Sequence, residues 1–166
     1  MNERIAICPG SFDPITVGHL DIINRASAMF DRIIVVVMKN NNKVCSFSSE
    51  ERKNLIIKSV GNLPNVIVDV YDGLLADYAK QKNACAIIKG LRAMSDFEYE
   101  FQMALANKKL NPNVETLFLT TTAENMYLSS SMVKQIAGMG GDISSFVPDV
   151  IREDIISRIQ NSDNPI

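Results

Sequence analysis

Ile33-Ile-Val-Val-Val-Met38 is an unbroken apolar run in which every residue but the last is β-branched. A strand with one wet face alternates apolar and polar residues. A continuous run suits a strand covered on both faces, as in a parallel sheet sandwiched between helices. The rest of the chain meets that requirement. Arg4–Cys8, Val66–Tyr71, Ala84–Lys89 and Glu115–Leu119 read as further strands, five in all. Helical patterns separate them. The first is Leu20–Phe30, and a second opens at Ser48-Ser-Glu-Glu51, which has capping-box spacing, and runs to about Val60. Leu74–Lys82 follows, then Phe97–Leu110 with Ser95 or Asp96 as its cap. Ser129-Ser-Ser131 opens a helix to about Ala137, and Pro148 suits the first turn of a last helix to about Ile159. Asn62-Leu-Pro-Asn65, Asn111-Pro-Asn113 and Gly138-Met-Gly-Gly141 punctuate the pattern.

Strands alternating with helices predict an α/β architecture: a Rossmann-like, doubly wound, five-stranded, mostly parallel sheet with helices on both faces. With 166 residues, 46% of them hydrophobic, the chain suffices for one domain over 1–166. Residues from about Asn161 to Ile166 read as a frayed tail.

In such folds ligands bind beyond the carboxyl ends of the strands. There the first strand runs into Cys8-Pro-Gly-Ser-Phe-Asp-Pro-Ile-Thr-Val-Gly-His19 and then a helix. Gly10 and Gly18 let backbone approach a ligand, Ser11 supplies a hydroxyl, and His19, the only histidine, falls where helix N–H groups favour an anion. Read alone, the stretch serves equally as a phosphate loop or a helix cap. Neither G-x-x-x-x-G-K-[ST] nor G-x-G-x-x-G is present. The loop after the second strand adds Lys43. That after the fourth adds Lys89, Gly90 and Arg92, and that after the fifth adds Ser129, Ser130 and Ser131. Singly, Lys43 reads as a solvated lysine, the serines as an N-cap, and Glu98 and Glu100 as a solvated helix face. Phe97, Phe101 and Met103 read as core or a subunit contact. Together the cations, hydroxyls and glycines are phosphate ligands.

Other chemistries fit poorly. No carboxylate near His19 in sequence completes a Ser/His/Asp triad, and no metal-ligand cluster is evident. Cys8, Cys45 and Cys85 are widely spaced without C-x-x-C, which argues against a disulfide framework and suits a reducing cytoplasm. A net charge of −2 disfavours nucleic-acid or membrane binding by bulk charge, and no apolar run is long enough to span a bilayer. What fits is positioning and charge stabilisation on a phosphate chain, as in phosphoryl or nucleotidyl transfer.

Pro9-Gly-Ser-Phe-Asp-Pro14 followed by Thr16-Val-Gly-His19 resembles the T/H-x-G-H signature of the nucleotidyltransferase superfamily. Lys89-Gly-Leu-Arg-Ala93, Asp96-Phe-Glu-Tyr-Glu100 and Ser129-Ser-Ser-Met-Val-Lys134 narrow the resemblance to the bacterial phosphopantetheine adenylyltransferases, in order over nearly the whole chain. The resemblance implies transfer of an adenylyl group from ATP to 4′-phosphopantetheine, giving dephospho-coenzyme A and pyrophosphate. It implies magnesium held mainly by nucleotide phosphates, with no protein ligand named, a homohexamer, and feedback by coenzyme A. It also implies site roles. His19 contacts the α-phosphate, Ser11 positions the attacking phosphate, and Lys43 and Lys89 hold it. Leu75 contacts the pantetheine arm and Arg92 the ATP phosphates. Phe12, Gly90, Leu91, Glu100, Asn125, Met126, Tyr127, Leu128, Ser129, Ser130 and Ser131 match ATP-contacting positions. Three residues depart from the pattern. Ser11 stands where threonine is usual, Lys89 where arginine is common, and Asn125 where some members have tryptophan. A lysine cannot grip phosphate bidentately. Two rivals stay open. One is a relative that adenylates nicotinate mononucleotide or uses CTP, which should lack the G-L-R-A and D-F-E-Y-E segments. The other is a non-catalytic nucleotide sensor, which would bind ATP without releasing pyrophosphate.

Overall fold

A computed structural model describes residues 3–39 and 44–162, without the side chains of Met94, Ser95 and Ser162. Five strands, β1 (Ile5–Gly10), β2 (Arg32–Met38), β3 (Val66–Tyr71), β4 (Ala86–Leu91) and β5 (Glu115–Thr120), form one sheet in the order β3-β2-β1-β4-β5. Every pairing is parallel, so the mostly parallel expectation becomes a wholly parallel one.

Alternate residues of each strand face opposite layers, which is why β2 had to be apolar throughout. Ile33, Val35 and Val37 face a large cluster with Ile22, Ile23, Leu55, Ile56, Val133, Ile151 and Ile155. These come from α1 (Val17–Ser27), α2 (Ser49–Ser59), α5 (Ser130–Gly138) and α6 (Asp149–Ser162). Ile34 and Val36 face a smaller cluster with Tyr78 and Ala79 of α3 (Leu75–Gln81). The Tyr78 hydroxyl donates to Asp69 of β3 at 2.7 Å and ties α3 to the sheet edge. The long helix α4 (Met94–Leu110) packs on β4 and β5.

Several boundaries move from their sequence-based positions, each for a local reason. Helix α1 starts at Val17, not Leu20, because Thr16 caps it. The Thr16 hydroxyl accepts from the His19 backbone N–H at 3.4 Å, and His19 Nδ1 accepts from the Thr16 N–H at 3.1 Å. This is a capping box with histidine in the usual glutamate position. The box expected at Ser48 and Glu51 forms, with bonds of 2.7 and 3.2 Å. Neither Ser95 nor Asp96 caps α4; Ala93 is its N-cap, and Asp96 instead accepts from Arg92 Nε at 3.3 Å. Register with β5 shifts β4 two residues later, to Ala86–Leu91. Ile159, 9% exposed, anchors the end of α6, so Asn161 and Ser162 are helical rather than frayed, while 163–166 lie outside the described residues. Among the described residues, no helix is long and apolar enough to cross a membrane.

The strand order places the site. From β1 the chain winds outward through β2 to β3, then returns to add β4 on the other side of β1. Such a reversal leaves a crevice at the strands' carboxyl ends. Strand β1 pairs with β2 from Ile5 to Gly10, but with β4 only at Ala6 and Ile7. Beyond Ile7 the two strands part. Pro9, which has no N–H to donate, lies where β4 no longer pairs with β1.

Candidate active site

The crevice opens into a cleft of about 520 Å³ between the carboxyl ends of β1 and β4 and the first turns of α1 and α5. Ser11, Phe12, His19, Lys89, Gly90, Arg92, Glu100, Asn125, Leu128, Ser129, Ser130 and Ser131 all line it. Leu91, Met126, Tyr127 and Leu75 do not. Leu91 is the last residue of β4 and pairs with Thr120. Met126 and Tyr127 are 53% and 62% exposed. Leu75 packs in the first turn of α3 against the smaller core cluster. Lys43 lies outside the described residues.

His19 is the centre of the arrangement. Its Nδ1 accepts the Thr16 N–H at 3.1 Å and lies 3.0 Å from the Thr16 hydroxyl. An acceptor nitrogen carries no proton, so in the neutral ring the proton sits on Nε2, away from the cap. Burial of the ring, then the charges of Arg92 and Lys89, push the imidazole down to about 4. At neutral pH His19 is therefore an uncharged donor. Behind it the Phe12 ring stands edge-on, centroids 5.2 Å apart. Phe12 itself is buried, with a left-handed φ of 48°. Its ring lies over Gly10, where a Cβ would come within 2.9 Å of it. Gly10 is thus required by the packing of Phe12 and, through Phe12, of His19.

Cations meet the cleft from the β4 side. Lys89 pairs with Glu100 at 3.2 Å, so Glu100 faces a cation rather than forming part of a solvated helix face. Arg92 donates Nη1 to the Leu128 carbonyl at 2.9 Å and Nε to Asp96. On the far wall, Ser129 caps α5 by accepting the Met132 N–H at 3.2 Å, and Ser130 donates to the Pro14 carbonyl at 2.7 Å. Asn125 donates to the Thr122 hydroxyl at 3.0 Å within a short 3₁₀ turn, Ala123–Asn125. Two helix N-termini, one neutral donor and the cations Lys89, Arg92 and Lys134 therefore converge on one space, an environment that attracts a polyanion. The Cys8 thiol also lines the cleft, but burial pushes it up to about 12 and leaves it protonated.

Among the lining residues absent from the sequence-based site, Asp13, Thr16, Asp96 and Lys134 make side-chain bonds that shape the cleft. Thr16 carries a readable signal, T-x-x-H immediately before a helix. Lys134 has one too, four residues after Ser130 and so near the same side of α5. Asp13 has none, because its partners lie 33, 34 and 121 residues away. Among the described residues, no group of three or more His, Cys, Asp or Glu could hold a metal ion.

Residues 7–136 match the cytidylyltransferase-like family. A phosphopantetheine adenylyltransferase of Clostridium tetani is 59% identical over 158 residues, covering 95% of this chain and 99% of its own. That of Caldanaerobacter subterraneus subsp. tengcongensis is 57% identical over 159 residues, covering 96% and 99%. Among solved structures, Plasmodium falciparum nicotinic acid mononucleotide adenylyltransferase complexed with NaAD superposes with a TM-score of 0.66 at 16% identity, over 98% of this chain and 97% of that one. That likeness speaks for the fold alone. By its family match and by its identity to these relatives over nearly the whole length, the chain belongs to the phosphopantetheine adenylyltransferase family, within the cytidylyltransferase-like proteins.

Proposed function

We propose that this chain, acting as one nucleotidyltransferase domain, reversibly transfers the adenylyl group of ATP to 4′-phosphopantetheine, releasing pyrophosphate and forming dephospho-coenzyme A. What carries the reading is the convergence of His19, Lys89, Arg92 and the α5 N-terminus on a single cleft. A phosphate oxygen of phosphopantetheine attacks the α-phosphorus of ATP in line. The new P–O bond forms as the bond from the α-phosphorus to the bridging oxygen breaks, and the electron pair leaves with pyrophosphate. The protein's part is positioning and charge stabilisation. Neutral His19 donates Nε2–H to the α-phosphate, where charge shifts during transfer. Ser11, Lys43 and Lys89 hold the attacking phosphate, and Leu75 meets the pantetheine arm. Arg92 and the Ser129–Ser131 turn hold the ATP phosphates. Phe12, Gly90, Glu100, Asn125 and Leu128 surround the nucleotide, with Leu91, Met126 and Tyr127 meeting it from outside the cleft lining. Asp13, Asp96 and Glu100 are each engaged with a protein cation, so magnesium, when bound, would be held mainly by nucleotide phosphates and would supply further charge neutralisation there.

The chain works as a homohexamer in the cytoplasm, with coenzyme A as a feedback ligand. Support for self-association comes from α4, whose Phe97, Phe101 and Leu105 lie four residues apart and are 36%, 45% and 57% exposed. Of the two readings of Phe97 and Phe101, core or subunit contact, that exposure favours the second. An apolar helix face of this kind is normally covered by a partner. The deciding experiment is pyrophosphate release from MgATP with and without 4′-phosphopantetheine. Release that depends on phosphopantetheine, with equimolar dephospho-coenzyme A, is expected; no release overturns the substrate assignment.

A further inference from the structure

Asp13 sits in the cleft wall at 2% exposure, yet its carboxylate faces the protein rather than the ligand space. Oδ2 accepts from Lys134 Nζ at 2.7 Å and from the Ser46 N–H at 3.1 Å, and Oδ1 accepts from the Phe47 N–H at 3.0 Å. Burial pushes the carboxyl up, but Lys134 and the two amides outweigh it and hold it below the usual carboxylate range. Asp13 therefore stays ionised and fully engaged, and is not free to act as a base.

Its neighbours in the loop are gripped as well. The Ser11 carbonyl accepts from Arg52 Nη1 at 2.7 Å, and the Pro14 carbonyl from Ser130 Oγ at 2.7 Å. Arg52 is itself 5% exposed, and its other bond runs from Nε to the Ser48 carbonyl at 3.4 Å. Both of these bonds end on carbonyls. Burying a guanidinium is costly, and bonds of this kind fix geometry. The loop from Ser11 to Pro14 is thus tied to the entry of α2 on one side and to α5 on the other.

We propose that Asp13 is a positioning residue that, with Arg52, locks the Ser11 loop to α2 and α5 and so sets the separation between Ser11 and the Ser129–Ser131 turn. This rests on the functional reading above, in which Ser11 serves the attacking phosphate and the α5 turn serves ATP. Either substrate can still bind when that separation changes, but the attacking oxygen no longer lies in line. The signature is loss of kcat without loss of affinity.

The test is Asp13→Asn, with Lys134→Met, the double variant and Arg52→Gln beside it. Asparagine keeps the volume but places an N–H₂ where a donor now points. Turnover should fall about 10- to 100-fold, the scale of a small misplacement, with KM for ATP and phosphopantetheine within about threefold. The double variant should be no worse than Asp13→Asn alone if the pair acts as a unit. A folded Asp13→Asn with wild-type kcat overturns the proposal, as does a loss confined to KM. If Asp13→Asn does not fold, Arg52→Gln is judged by the same criterion. If the wild-type protein releases no pyrophosphate with phosphopantetheine, it is the functional reading that fails. The lock is then judged by NMR, because His19 is the only histidine. A His19 ring resonance shifted by Asp13→Asn supports the lock, and an unmoved one overturns it.

Discussion

Replacing His19 with alanine isolates what a neutral donor contributes. His19 lines the cleft, and with Nδ1 occupied by Thr16 its one ring donor is Nε2–H. A preorganised donor that acts where charge develops contributes about 2.7–4 kcal/mol, or 10²- to 10³-fold in kcat. Because the bond strengthens mainly in the transition state, KM for ATP should change little. The substitution also strips the Thr16 N–H of its acceptor, costing about 1 kcal/mol of stability. Helix α1 survives, because alanine is a good helix former. pH gives a second readout. The folded ring titrates at about 4, so wild-type kcat should show no histidine step between pH 6 and 8. For stability, the unfolded chain takes up its histidine proton near 6.5, whereas the folded site resists until about 4. Wild-type stability should therefore fall as pH drops through that window, and His19→Ala should lack that part of the fall. The assay is steady-state pyrophosphate release, together with thermal melts across the same pH range. Turnover within about threefold of wild type, or a wild-type kcat step near 6.5, would refute the assignment of His19 as a neutral donor.

Gly10→Ala should lower stability by about 1–3 kcal/mol, because its Cβ meets the buried Phe12 ring at 2.9 Å, and should also reduce turnover by disturbing the ring behind His19; an unchanged melting curve argues against that packing. Ser129→Ala removes the α5 cap and should cost about 1 kcal/mol in denaturant unfolding, with Ser129→Asp recovering most of it; no loss would mean the cap is dispensable. Leu105→Glu on the exposed α4 face should yield a smaller species by light scattering with the protomer still folded; unchanged mass places the self-association surface elsewhere.

Much of the fold was legible because it follows from short-range rules. The β-branched run of β2 requires cover on both faces, and the Ser48–Glu51 spacing announces a helix by satisfying its first N–H groups. The starts of α1 and α4 differ from those the sequence pattern predicts, for opposite reasons. At α1 a histidine performs the capping that glutamate usually does, so the signal was present in an unfamiliar residue. At α4 no side-chain bond caps the helix, so local sequence held no signal. The phosphate-binding character of Ser11, His19, Lys89, Arg92 and Ser129–Ser131 was also readable, since the donor groups a side chain carries are set by its residue type.

By itself, then, the order of residues determined the α/β class, the strands, most helices and the chemical type of the site. Tertiary structure alone decided which loops meet, the burial and charges that keep His19 neutral, and what Glu100 and Asp13 face. Propensity and capping act over a few residues, so they are written locally. Ionisation state and loop position depend on groups that only the tertiary fold brings close, as β4 does by adding beside β1 and as α5 does by bringing Lys134 to Asp13, 121 residues away in sequence.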